Sequence, residues 1–176
     1  MDQSSDCPIT SFPVQPVGNN GTEPSQELCQ IEEGLFLGSI TEATMKDALK
    51  QANVTHILTI ASFLPSFPED FQYKVVNISD SLNTNIAQHF DECFDFIDES
   101  KRIGGGVLVH CFMGVSRSVT IVAAYLIKKR HMSLSQALRH VQSRRPQASP
   151  NPGFISQLRY FEQKLKEGEN AKGQRI

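Results

Sequence analysis

Two apolar runs of different length, joined by one short loop, constrain this chain more than any other feature. Gly106-Val107-Leu108-Val109-His110 is short, continuous and rich in β-branched residues, the pattern of a strand buried on both faces. Val119 to Ile127 is apolar for too long to be another short strand and reads as a buried helix. Between them lies His110-Cys111-Phe112-Met113-Gly114-Val115-Ser116-Arg117-Ser118. One cysteine, five residues and one arginine therefore occupy a strand-to-helix turn.

Such a turn aims several backbone N–H groups and the positive end of a helix dipole into one concavity, which binds a tetrahedral dianion without a cationic side chain. Gly114 lets the backbone curl inward. The same field stabilises a thiolate. A free cysteine ionises near a pKa of about 8.5 and is pulled down in such surroundings; each tenfold gain in ionisation corresponds to about 1.4 kcal/mol. Cys111 thus reads as a nucleophile towards phosphorus. Phe112 to Ser116 offer backbone groups to phosphoryl oxygens, and Arg117 offers a planar fork that matches two of them. Ser118 is placed to donate to the sulfur as it leaves. The expected arrangement has the sulfur at the mouth of a ring of amides with the Arg117 guanidinium closing the far side. A bare C-x5-R also fits a buried cysteine and an arginine paired elsewhere; His110, Gly114, Ser118 and the flanking strand and helix favour the phosphate loop.

The chain of 176 residues supports one domain plus tails. Seventeen Lys and Arg against nineteen Asp and Glu leave a net charge of -2, so no global field recruits nucleic acid or a membrane. Lys128-Lys129-Arg130 and Arg144-Arg145 read first as solvated helix ends. The other reading is an acidic-partner surface or a segment of the calmodulin-target kind. Cys7, Cys29, Cys93 and Cys111 show no C-x-x-C pair and no metal-like grouping with histidine, so no metal or cofactor is expected and a reducing compartment fits. Cys93 shares a helical stripe with Ile86, Phe90, Phe94 and Ile97 and reads as core. Cys7 and Cys29 are candidate resolving thiols for oxidised Cys111, with chance placement the simpler account. No leader, lipid anchor or membrane span is legible, and the expected location is cytoplasmic, with the nucleus as a second compartment.

Residues 1–27 are polar and Pro-rich and read as a tail, 28–167 as the folded unit and 168–176 as a frayed end. The patterning predicts strands over Ile31–Gly38, Val54–Ala61, Tyr73–Ser79 and Gly106–His110, and a helix over Thr41–Ala52. It predicts a helix capped by Thr84 or Asn85 and ended by Gly104-Gly105-Gly106, and a buried one over Ser118–His131. Ser133 with Gln136 forms a capping box for the next helix. The last is opened by Asn151-Pro152 and runs to about Lys166. The implied fold is α/β, a mainly parallel sheet of four or five strands with helices on both faces. Ligands gather beyond the carboxyl ends of such strands. This singles out Asp80, directly after the Tyr73–Ser79 strand, as general acid and later activator of water; a turn aspartate is the plainer alternative. Asp91, Asp95 and Asp98 fall on the exposed side of a helix.

His110 to Ser118 resembles the H-C-x-x-G-x-x-R-S signature of cysteine-dependent protein phosphatases, and the likeness runs from about Ile31 to Phe161. Gly34-Leu35-Phe36-Leu37-Gly38 and Asn151-Pro152-Gly153-Phe154 resemble the small dual-specificity phosphatases. Asn53-Val54-Thr55-His56-Ile57-Leu58 and Tyr73-Lys74-Val75-Val76 look most like plant members associated with MAP kinase dephosphorylation. The resemblance implies a protein tyrosine phosphatase-like fold. It also implies nucleophile Cys111, phosphate-binding Arg117, leaving-group helper Ser118, supporting His110 and general acid Asp80, with Asn151 bracing the phosphate loop besides capping its helix. Met113 stands where many relatives carry alanine, with little effect expected on a loop that binds through its backbone. The implied substrates are proteins phosphorylated on Tyr, Ser or Thr, kinase activation loops among them. A phosphoinositide phosphatase, a silent phosphoprotein-binding module and thiol redox catalysis are the competing readings. Uncharged Phe112, Met113, Val115 and Ser116 argue against the first, the presence of Cys111, Arg117 and Asp80 against the second, and the upstream Asp80 against the third.

Overall fold

The computed structural model describes residues 27–173. Five strands form one sheet: β1 (Cys29–Glu32), β2 (Leu35–Gly38), β3 (Val54–Thr59), β4 (Gln72–Val75) and β5 (Gly106–His110). Their spatial order is β1-β2-β5-β3-β4, with β1 antiparallel to β2 and every other pair parallel. The continuously apolar β5 takes the centre, where every residue of the strand is buried. Its side chains alternate between the two faces. Val107, Val109 and Cys111 enter the larger core beneath the carboxy-terminal helices, whereas Leu108 enters a smaller one with Phe36, Leu49, Val54 and Ile57.

The helices are α1 (Ile40–Ala43), α2 (Lys46–Gln51), α3 (Phe90–Arg102), α4 (Arg117–Arg130), α5 (Leu134–Arg144) and α6 (Pro152–Gly173). Every residue of α4 from Ser118 to Ile127 is buried, as an all-round apolar helix requires. The predicted capping box opens α5, Ser133 Oγ accepting from Gln136 N–H and Gln136 returning a carboxamide oxygen to Ser133 N–H.

Several boundaries differ from expectation for local reasons. Ile31–Gly38 is not one strand: the chain turns at Gly34, whose φ of +69° suits glycine, so Cys29–Glu32 folds back on Leu35–Gly38. The single helix expected over Thr41–Ala52 is two, broken where Thr44 Oγ1 and N–H both donate to the Thr41 carbonyl. β4 ends at Val75, so Asp80 lies on a loop beyond the strand rather than directly at its end. The segment after that loop enters a 3₁₀ turn at Ala87–His89, with Asn85 Oδ1 accepting from Gln88 N–H, before α3 begins at Phe90. α6 continues through Gly168 to Gly173. Asp91 and Asp95 are exposed, whereas Asp98 is half-buried and accepts from Tyr125 Oη.

Candidate active site

Parallel pairing aligns Gly38, Thr59 and His110 across β2, β3 and β5, so the segments that follow these strands emerge on one edge. There the chain from Cys111 to Arg117 curls into a loop and enters α4. Gly114 makes the curl, with φ +65° and so little room that an added Cβ would lie 2.6 Å from the Gly38 carbonyl oxygen. The carbonyls of the loop are held outward: Phe112 O accepts from Ile40 N–H at 3.1 Å and Val115 O from Ser149 N–H at 2.8 Å. Its amides are thereby left to face inward.

The sulfur sits at the floor of this cup, not at its mouth, and Cys111 is only 1% exposed. Burial raises the thiol pKa. Against it act the Ser118 hydroxyl at 3.2 Å, the Ser118 backbone N–H, the Gly114 N–H at 3.3 Å and the Arg117 charge; together they outweigh burial and hold Cys111 below the ordinary thiol value. Cys93 provides the contrast inside the same molecule. It has burial without donors, and its thiol is pushed up to about 12. Cys29 is half-buried, also shifted up by burial, and donates to Arg144 O at 3.4 Å; Cys7 lies outside the described residues.

The Arg117 guanidinium bridges from the loop to the segment carrying Asp80. Nη1 donates to Ile78 O at 3.2 Å, while Nε lies 3.9 Å from Asp80 Oδ2 and is buried with no hydrogen-bond partner. Nε is thus a buried donor not engaged by any other group among the described residues. Asp80 is tied to the same loop: Oδ1 accepts from Ser116 Oγ at 2.8 Å and from Asn151 Nδ2 at 2.7 Å. Asn151 does two things at once. Its Oδ1 caps α6 by accepting from Phe154 N–H, while its backbone N–H donates to Ser116 Oγ.

His110 lies under the loop, Nε2 against Thr59 Oγ1 at 2.7 Å and Nδ1 near Cys111 O at 3.3 Å. Burial pushes its pKa down to about 4, only partly opposed by the Cys111 carbonyl and Glu42. It is therefore neutral at neutral pH and adds no positive charge to the sulfur's surroundings. Phe112 and Met113 project outward and are exposed, consistent with a loop whose binding groups are its backbone.

Two supporting residues, Arg145 and Glu42, are not among the site residues the sequence reading singled out. Arg145, read there as a solvated helix end, is buried. Its Nε donates to Gly114 O at 2.8 Å, Nη2 to Met113 O at 3.2 Å and Nη1 to Glu42 Oε1 at 2.8 Å. Burial works to raise the Glu42 pKa, but hydrogen bonds from Ser39 and Arg145 win and take it down to about 2. The S-x-x-E pattern of Ser39 and Glu42 carried a signal, since it forms the capping box of α1. Nothing in the local sequence marked Arg145.

Residues 35–164 match the dual specificity phosphatase catalytic domain family. Among curated proteins, the Arabidopsis thaliana dual specificity protein phosphatase 1B is 56% identical over 144 residues, which cover 81% of this chain and 86% of that protein. Dual specificity protein phosphatase 1 of the same plant is 62% identical over 136 residues, 77% of this chain and 69% of that one. MAP kinase phosphatase with leucine-rich repeats protein 2 of Dictyostelium discoideum is 44% identical over 77% of this chain but only 19% of its own length. Of solved structures, human DUSP28 superposes with a TM-score of 0.75 at 33% identity, covering 79% of this chain and 98% of that one.

Proposed function

The chain belongs to the dual specificity phosphatase family, and from that premise we propose that Cys111 is the residue to which the phosphoryl group is transferred. It is a protein phosphatase and acts on phosphorylated proteins. The observation that carries the proposal is the sulfur at the floor of the 111–117 loop, with Ser118 and Gly114 donating to it.

In this reading phosphoryl oxygens accept from the loop amides of residues 112–116 and from Arg117, and the thiolate attacks phosphorus in line with the departing side-chain oxygen. Asp80, carrying a proton on the oxygen not engaged by Ser116 and Asn151, passes it to that leaving oxygen. It then takes a proton from the water that cleaves the phosphocysteine. Ser118 donates to the sulfur as the S–P bond breaks. His110 and Asn151 position the loop and Asp80.

The substrates proposed are doubly phosphorylated activation loops of kinases, MAP kinases first. What supports this is the name of the Dictyostelium relative, a MAP kinase phosphatase, and the plant-like segments at Asn53–Leu58 and Tyr73–Val76. A calmodulin-type partner would have to compete with existing ion pairs: Lys128 holds Asp91, Lys129 holds Asp98 and Arg130 holds Glu32. The test is kinetic, with a peptide phosphorylated on Thr and Tyr compared with each singly phosphorylated form and with an active MAP kinase. Release of phosphate from both residues by the wild type, and none by Cys111→Ser, is expected. Inactivity of the wild type on every phosphorylated peptide, or turnover retained by Cys111→Ser, would overturn the proposal.

A further inference from the structure

Four of the seven large apolar side chains that are exposed among the described residues lie on the edge that carries the phosphate loop. They are Leu64 at 90%, Leu82 at 60%, Phe112 at 53% and Met113 at 62%. Leu64 stands on the segment following β3 and Leu82 on that following β4, while Phe112 and Met113 belong to the loop itself. Phe63 joins the first and third groups, its ring 6.0 Å from that of Phe112. The segment is anchored on both sides of Phe63 and Leu64: before them Ile60 N–H donates to His110 O at 2.8 Å and Ser62 Oγ to Asn77 Oδ1, and after them Phe67 N–H donates to Tyr73 Oη at 3.2 Å. Exposed apolar groups gathered on one side of a soluble domain mark a contact surface.

The charges on this edge make the same point. In residues 60–68, 76–86, 111–116 and 146–151 the only Lys, Arg, Asp or Glu is Asp80. Of the charged groups bordering them, Arg117 faces Asp80, Arg145 is committed to Glu42 and two carbonyls, and Lys46, over the Phe67 ring, is paired with Asp70, which follows Glu69 at the end of the first segment. These segments therefore offer no further cation to an acidic neighbour or a second phosphate.

We infer that the rim formed by Phe63, Leu64, Leu82, Phe112 and Met113 selects protein segments in which an apolar residue flanks the phosphorylated one. The inference rests on the protein phosphatase reading and names its substrate class. The phosphoryl group goes down to Cys111, and the neighbouring side chain is laid against the Phe63–Phe112 pair and Leu64. A flanking Glu would lose water there and meet no partner. A second phosphate is removed only in its own turn and contributes nothing to the binding of the first.

The test measures kcat/KM on phosphotyrosine peptides of equal length with Leu, Ser or Glu at the positions next to the phosphoresidue, and on one with an additional phosphothreonine. Each ratio is taken within a single enzyme preparation, so that any general loss of activity cancels. Wild-type enzyme is expected to favour the Leu peptide over the Glu peptide by about tenfold and to gain less than about twofold from the second phosphate. In Leu64→Ser, which alters a side chain almost wholly in solvent, and in Phe63→Ser with Leu64→Ser, the Leu preference shrinks stepwise. Equal rates on the Leu and Glu peptides, an unchanged preference in the double variant, or a large gain from the second phosphate would overturn the inference and leave the phosphatase reading standing. Turnover of an aryl phosphate with none of any peptide would overturn both.

Discussion

The Arg145 guanidinium donates to the Gly114 carbonyl at 2.8 Å, joining the end of α5 to the inside curve of the phosphate loop. One side chain thereby turns two loop carbonyls away from the cup, and Glu42 neutralises it in turn. Arg145→Ala leaves the half-buried Glu42 carboxylate with its Ser39 donors but no countercharge, and two loop carbonyls without their donor. Loss of one partner of a buried pair costs about 3–5 kcal/mol of stability, and a misplaced loop lowers kcat by on the order of 100-fold. Denaturant unfolding and steady-state kinetics on one preparation check both; a variant with normal kcat would show that the loop keeps its shape unaided.

Gly114→Ala tests the curl directly. A positive φ costs an alanine about 1–2 kcal/mol, and its Cβ would collide with the Gly38 backbone. The expected result is a folded protein, by circular dichroism, with kcat/KM reduced more than about tenfold because the amides no longer converge.

Ser118→Ala removes a donor from the sulfur. The Cys111 pKa, now below that of an ordinary thiol, rises, so the acid limb of the kcat/KM profile moves to higher pH. Hydrogen bonds to charged groups contribute about 1.5–3 kcal/mol, so turnover falls by about ten- to a hundredfold. Thiol alkylation against pH reads the same shift without substrate.

Asp80→Asn keeps hydrogen bonds to Ser116 and Asn151 within reach but carries no transferable proton. Turnover of alkyl phosphates and phosphoserine peptides should fall by about 100- to 10,000-fold, that of nitrophenyl phosphate far less, and the alkaline limb of the profile should vanish. An unaltered profile would assign the acid role to another residue.

His110 makes stability depend on pH. Its pKa is about 4 when folded and about 6.5 when free, so the unfolded chain binds the proton first as pH falls. The contribution is complete above pH about 6.5 and declines by about 3 kcal/mol down to pH about 4. His56, buried and shifted the same way, adds to that slope, whereas Glu42 acts only at lower pH, between about 4.5 and about 2. His110→Gln should flatten the dependence of unfolding free energy between pH 6.5 and 4.

The centre of this molecule was readable in the sequence because its signals are local. The runs around β5 and α4 are continuous, and Cys111, Gly114, Arg117 and Ser118 sit in one loop. The rule that parallel strands deliver their ends to one edge pointed to Asp80, which does lie against Ser116 and Arg117, although it stands on a loop and not at the strand terminus. The β1–β2 hairpin was missed because Gly34 turns the chain inside a stretch that reads as one extended run. Arg145 was missed because what buries it comes from afar: Glu42 is 103 residues away in sequence and Gly114 31. A side chain whose partners are all remote looks like any other helix-end arginine.

The claim on which the account rests is that the phosphoryl group passes through Cys111. Rapid acid quench of the enzyme turning over a radiolabelled phosphopeptide, followed by peptide mapping, tests it. Label is predicted on the peptide containing Cys111, stable to acid and lost in Cys111→Ser together with turnover. Label on any other residue, or turnover persisting in Cys111→Ser, would contradict it.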